Sequence, residues 1–269
     1  MNAIISQSGS LTLLQRLGES GRRIVDQADI KELLPEYSSA YVNQLLHTLG
    51  RNGWLLRLRR GLYALSPDIF QGPPLHEFEL GMALADQAAI SHWSALSVHG
   101  LTEQIPQEVF LTTTDTVTLP RDRRCAGQVV DVLGHTFRFC REAEEQFFGF
   151  QTIWRSEAAI RVTDPERTLL DGLARPQLCG DFGVVWQAFE QHLGQLNLER
   201  IVSYARRLGV TAEKRLGWVL ERQGLTHSLL EELARSPIRG YRPLDPTAER
   251  RGPCNSHWHI IENLPGNRR

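Results

Sequence analysis

Residues 53–63 read Gly53-Trp54-Leu55-Leu56-Arg57-Leu58-Arg59-Arg60-Gly61-Leu62-Tyr63 and run on into Ala64-Leu65. Leu56 and Leu58 alternate with Arg57 and Arg59, and Arg60-Gly61 is a turn signal, so the stretch reads as two strands about a tight turn. Its outer face is basic. Immediately before it, Val42, Leu45, Leu46 and Leu49 fall at i, i+3, i+4 and i+7, which predicts a helix with one buried face. Ser38 or Ser39 supplies the N-cap, and Gly50, Asn52 and Gly53 end the helix. Further back, Asp26 and Asp29 form a variant capping box for a short helix whose Ile30, Leu33 and Leu34 face inward before Pro35. Leu11, Leu13, Leu14 and Leu17 predict a first helix that Gly18 and Gly21 close.

Three helices followed by a basic hairpin make a winged helix-turn-helix pattern, and the segment 66–74, with Pro67, Gly72, Pro73 and Pro74, reads as a linker. The domain expectation is therefore 1–66 for the winged helix and 75–269 for a larger unit. In that unit, helical patterns at 75–86 and 91–100 precede strand-like runs at 108–113, 128–133, 135–141, 151–154 and 158–162. Asp164-Pro165 then opens a helix with Leu169, Leu170 and Leu173 inward, and further helices are expected at 182–193, 197–208, 212–223 and 226–235. The region 75–163 is mixed and 164–235 mainly helical, with a strand at 257–262 in the tail. The expected fold class is α+β.

Composition narrows the function classes. With 41% apolar and 23% charged residues, the chain has ordinary globular composition. No apolar run approaches the roughly 20 residues of a membrane-spanning helix, and Met1 to Gln7 lacks the basic flank and apolar core of a secretory signal. The expected compartment is the cytoplasm, with no membrane partner. Cys125, Cys140, Cys179 and Cys254 include no Cys-x-x-Cys pair, which argues against a disulfide framework or a four-thiolate zinc site. The net charge of −1 hides an asymmetry: residues 1–65 carry eight basic and five acidic groups, the remainder 22 and 26. An anionic partner for the N-terminal end follows.

At about 100° per residue, the face of the third helix opposite its leucines carries Ala40, Asn43, Gln44, His47 and Arg51, with Tyr41 on the flank. In a helix-turn-helix such a stripe reads the major groove, where amides pair with adenine and guanidinium with guanine. Asn43, Gln44 and His47 are the candidate base readers. Ser39, Tyr41, Arg51, Arg57, Arg59 and Arg60 are the candidate phosphate contacts. The same stripe also suits a solvated helix face, and the arginines also suit a hairpin edge that must avoid pairing with another sheet.

Catalytic readings find less support. Cys254-x-x-His257-x-His259 is the tightest group of potential metal ligands, with both histidines on one face of a strand, and it lacks a fourth ligand. His92 and His99 share a helix face, which packing explains. Of the carboxylates Glu142, Glu144, Glu145, Asp164, Glu166 and Asp171, the pair Asp164 and Glu166 belongs to a helix opening. No phosphate-cradling loop, nucleophile elbow or His-Glu-x-x-His occurs. The expectation is a protein that is not an enzyme and uses neither metal nor cofactor.

The run Gly53 to Tyr63 closing an N-terminal winged helix resembles that of the AbiEi antitoxins of AbiE phage-defence toxin-antitoxin systems. Ser94 to Leu101, Val162 to Asp171 and Trp258 to Asn263 are similar to that family's later landmarks, in the same order. The resemblance implies a winged-helix DNA binder that represses its own operon, joined to a larger domain that counteracts a nucleotidyltransferase toxin, with or without a stable complex. Only the wing residues Arg57, Arg59, Arg60 and Tyr63 carry over as matching positions. The implied partners are double-stranded operator DNA, the toxin and a second copy of the chain on paired half-sites. The competing class is a winged-helix interaction module, or a nucleic-acid-processing enzyme, that is not a repressor.

Overall fold

Local signals in the first 66 residues act where they stand. A computed structural model describes residues 2–67, 74–115 and 129–264, with side chains from residue 9 onward in the first stretch. Most of the expected linker, as well as Cys125 and Gln128, lies outside the described residues. The chain runs α1 (Asn2–Ser20), β1 (Ile24–Asp26), α2 (Gln27–Leu33), α3 (Ser39–Arg51), β2 (Leu55–Arg59) and β3 (Leu62–Leu65). Asp26 and Asp29 form the reciprocal capping box of α2, and Ser38 Oγ accepts the Tyr41 N–H at 3.3 Å to cap α3. Helix α1 continues past Gly18, because burial of Leu13 and Leu17 outweighs the roughly 1 kcal/mol cost of one helical glycine. Val42, Leu45, Leu46 and Leu49 are the buried face of α3, as their spacing requires.

The sheet order β1-β3-β2 adds a strand that the sequence did not announce. Both faces of its hairpin are covered. Leu55 and Leu65 join the core under α1 to α3, with Tyr63 packed against it. Leu58, Leu62 and Ala64 belong instead to a second core with Phe78, Leu80 and Leu111, and Leu56 packs on it. The pairing shifts between Arg57, opposite Tyr63, and Arg59, opposite Leu62. That bulge turns Arg59 onto the face of Leu62.

The second core lies under α4 (Glu77–Ala83) on a six-stranded sheet built from β4 (Ala88–Ile90), β5 (Val109–Thr113), β6 (Val129–Val132), β7 (His135–Arg141), β8 (Phe150–Arg155) and β9 (Ala158–Thr163). The strand order is β6-β7-β5-β4-β9-β8, parallel at β5/β7 and β4/β9 and otherwise antiparallel. Helix α5 (His92–Val98) follows β4, and α6 (Pro165–Ala174) follows β9. Helices α7 (Phe182–His192), α8 (Leu198–Leu208), α9 (Val210–Arg222) and α10 (Ser228–Arg235) enclose a third core around Leu169, Phe189 and Leu216. The molecule is thus mixed α and β. Among the described residues, no helix is long and apolar enough to cross a membrane.

A three-stranded sheet of β10 (Arg242–Pro243), β11 (Cys254–Asn255) and β12 (Ile260–Ile261) closes the chain. His257 and His259 therefore sit in the turn between β11 and β12 and not on one strand face. Trp258 in that turn is fully buried, and its Nε1 donates to Glu221 Oε2 at 2.7 Å. A Cβ at Gly217 of α9 would fall 1.9 Å from Trp258 Cζ3, so only glycine admits the indole there.

The later landmark segments tie these elements together. Ser94 Oγ accepts the Phe110 N–H at 2.9 Å, joining α5 to β5. His99 Nε2 lies 2.6 Å from the Thr163 carbonyl oxygen, which makes the ring the donor. Asp164 caps α6 by accepting the Arg167 N–H at 2.8 Å, and Arg167 Nε donates to the buried Asp171 at 2.8 Å. Glu166 accepts the Asn197 N–H at 2.7 Å, and Glu142 pairs with Arg175. Glu144 and Glu145 are exposed on a 3-10 turn. No group of three or more His, Cys, Asp or Glu able to hold a metal ion occurs among the described residues.

His92 is the most perturbed of these groups. It opens α5 fully buried and at φ 49°, with Nδ1 2.8 Å from Ser91 Oγ and Nε2 unpartnered among the described residues. Burial, with the Arg175 and Arg167 charges adding to it, pushes its pKa from 6.5 down to about 3. The unfolded chain therefore takes up a proton at His92 below about pH 6.5 that the folded chain refuses until about pH 3. Its contribution to stability is complete above that window and lost as the pH falls through it. Denaturant midpoints between pH 7 and pH 4 should fall steeply in the native protein and less steeply in His92→Asn. Equal slopes would mean that His92 does not titrate on unfolding. For the hairpin, Leu62→Ala should cost about 2–5 kcal/mol in chemical denaturation. Because the hairpin that carries Leu62 is buried against two cores, a single shifted transition is expected; two transitions of which one stays in place would show that the lobes fold apart.

Candidate nucleic-acid interface

Ion pairing divides the eight basic residues of the first 65 into two groups. Arg16 pairs with Glu36 at 2.8 Å, and Arg22 pairs with Asp29 and Glu32 at 3.0 Å each. Two more are drawn to the larger lobe: Arg23 lies 3.4 Å from Glu79 of α4 and Arg59 3.7 Å from Asp86. Lys31, Arg51, Arg57 and Arg60 have no ion pair among the described residues. All four are exposed.

These four line two adjoining clefts. The larger, about 570 Å³, runs between α3 and the hairpin, where Asn43, His47 and Arg51 face Arg57, Arg60 and Tyr63. Asn43, His47 and Arg51 succeed one another by four residues, so they form one row along α3. Arg57 stands opposite Tyr63 on the hairpin face turned to the helices, and Arg60-Gly61 is the hairpin tip. No acidic side chain lines this cleft. The smaller cleft, about 170 Å³, is lined by Lys31, Tyr37 and Ser39 together with Gln27, Val42 and Asn43. Gln27 and Asn43 are common to both.

Low-dielectric walls on both sides of an unneutralised cationic strip focus its field outward, toward an anion. At physiological salt, where the Debye length is about 8 Å, that field acts on an anion lying close to the strip. The amides and the imidazole supply donors and acceptors between the guanidinium groups. Such a surface suits a polyanion whose edges also offer hydrogen-bonding groups.

Of the residues singled out in the sequence, Asn43, His47, Arg51, Arg57 and Arg60 are brought together in the larger cleft, and Ser39 lies in the smaller one. Gln44 is exposed on α3 but lines neither. Two more of the candidates lie outside both clefts. Tyr41 stacks on Tyr37 with ring centroids 4.9 Å apart, and its hydroxyl lies against Gly9 of α1, so it does not face the clefts. Burial and the neighbouring Tyr37 push that hydroxyl's pKa up. Arg59 is carried by the bulge toward Asp86, and its Nε is buried. Gln27 and Lys31 escaped sequence reasoning because helical spacing on α2 does not reveal which side of α2 lies beside α3.

No protein-family description and no curated protein matches the sequence. The chain is similar in structure to the RV2827C protein from Mycobacterium tuberculosis, whose crystal structure superposes with a TM-score of 0.59. The likeness covers 94% of this chain and 90% of that one at 13% sequence identity, and at that identity it is a likeness of fold.

Proposed function

We propose that residues 1–66 form a winged helix-turn-helix that holds duplex DNA at the cleft between α3 and the hairpin, and that the protein is an operator-binding repressor. The observation that carries this reading is the electrostatic sorting. Among the described residues of the N-terminal unit, every Lys or Arg without an ion pair borders one of two adjoining clefts, and those clefts also present Asn43 and His47. Arg51, Arg57 and Arg60, with Lys31 and Ser39 beyond, hold the sugar-phosphate rails, while Asn43 and His47 meet base edges. Gln44, exposed beside this row, is a further candidate reader at its margin.

The sequence resemblance to AbiEi antitoxins extends the proposal. On that basis the repressor controls its own operon in the cytoplasm, and the unit 75–269 counteracts a nucleotidyltransferase toxin. A second copy on paired half-sites would lengthen a footprint that is short for one winged helix.

Binding to duplexes from the protein's own upstream region, followed by fluorescence anisotropy across a salt series, tests the DNA reading. Each phosphate contact contributes about one counterion to the slope of log affinity against log salt. Arg57→Ala and Arg60→Ala should each lower that slope by about one for all duplexes alike. Arg59→Ala and Tyr41→Phe should leave it unchanged. Absent or salt-insensitive duplex binding would defeat the proposal, as would an Arg59→Ala variant indistinguishable from Arg57→Ala. For the antitoxin role, co-expression should relieve growth arrest by a nucleotidyltransferase encoded beside the protein; persistent arrest would refute it.

A further inference from the structure

Gln27 occupies the saddle between the two clefts. It is the first residue of α2, held there by the Asp26–Asp29 capping box, and its exposed side chain crosses to α3. Gln27 Nε2 donates to Asn43 Oδ1 at 3.4 Å. On its other side, a Cβ at Gly61 would sit 3.6 Å from Gln27 Cγ and Cδ, so the hairpin tip passes close to the same side chain. One amide therefore bridges α2 to α3 beside the hairpin tip, at the point where both clefts meet.

We infer that Gln27 is a positioning residue that sets base preference in the cleft by fixing the amide of Asn43 with its NH₂ group outward. This rests on the DNA reading above. A free asparagine pairs with adenine by donating to N7 and accepting from the N6 amino group, using both ends of its amide. Here the oxygen end of Asn43 is turned to Gln27, so the end left for a base is a pair of N–H donors. Donors match the two adjacent acceptors of a guanine, N7 and O6, whereas adenine offers N7 alone, thymine O4 alone, and the amino groups of cytosine and adenine offer none. The held Asn43 thus prefers an acceptor-rich base edge at the pair it faces.

The substitution Gln27→Glu reverses the geometry without shortening the side chain. A carboxylate cannot donate, so it draws the Asn43 NH₂ toward itself and turns Oδ1 outward, to bases that donate. Gln27→Ala removes the constraint and lets Asn43 pair in either sense. Selection from randomised duplexes by the full-length protein, with sequencing of the bound pool, reads this directly. Asn43→Ala identifies the base pair concerned, because preference there alone should flatten. At that pair Gln27→Glu should shift the preference from guanine toward adenine or cytosine by about 5- to 10-fold, the scale of one good base contact. Gln27→Ala should broaden it.

The added negative charge lowers overall affinity whatever the role of Gln27, so the readout is the relative preference at one pair. Thermal midpoints of the variants, measured alongside, should stay with the native protein because the residue is exposed. A Gln27→Glu profile identical to the native one, in a protein that still binds duplex with a steep salt dependence, overturns this inference and leaves the DNA reading intact. Failure of the native protein to bind duplex at all overturns both.

Discussion

The hairpin of β2 and β3 is buried on both faces, and the geometry of the cleft depends on that constraint. Leu55 and Leu65 point into the three-helix core, while Leu58, Leu62 and Ala64 point into the core of the six-stranded sheet. Burial of a leucine contributes about 1.5–3 kcal/mol, so each face resists a change in the hairpin's angle. A hairpin clamped from two sides stands at one distance from α3. The cationic strip between them is then built at a set width and needs no partner to form it.

The same clamping explains which charges are neutralised. Arg23 and Arg59 lie where the hairpin sheet meets the larger lobe, and each finds a carboxylate there in Glu79 and Asp86. Arg57 and Arg60, on the opposite face and at the tip, find none among the described residues. Like charges held in one groove repel, at a cost that water and salt reduce but do not remove. The arrangement leaves the larger lobe shielded from the hairpin's charge and the outer groove exposed to solvent. In the larger lobe the carboxylates lie inside: Asp164 and Glu166 accept backbone amides and Asp171 and Glu142 pair with guanidinium groups, so they act as structural ties, although Asp171 Oδ2 has no hydrogen-bond partner among the described residues.

Much of this was legible residue by residue. The Asp26–Asp29 capping box, the Ser38 cap and the Leu/Val face of α3 depend on neighbours within one or two helical turns. For the same reason the strands at 135–141 and 158–163 and the helices after Asp164 fall close to their expected places. The three-residue strands β1 and β4 were not visible, since three residues are too few to show a period. Simple alternation put Arg57 and Arg59 on one face, and a bulge separated them. Tyr41 sat on the flank of the polar stripe of α3, but its ring was claimed by Tyr37 and α1.

The linear order of residues therefore determined the α+β class, the caps, the buried face of α3 and the list of basic groups near it, because each is a property of local spacing and side-chain chemistry. Tertiary structure alone decided which of those basic groups remained unpaired among the described residues, that α2 contributes Gln27 and Lys31 to the same surface, and that the hairpin belongs to two cores at once. Those outcomes turn on which carboxylate or leucine arrives from tens of residues away, and the distance between two points in space is not written in the distance between them along the chain.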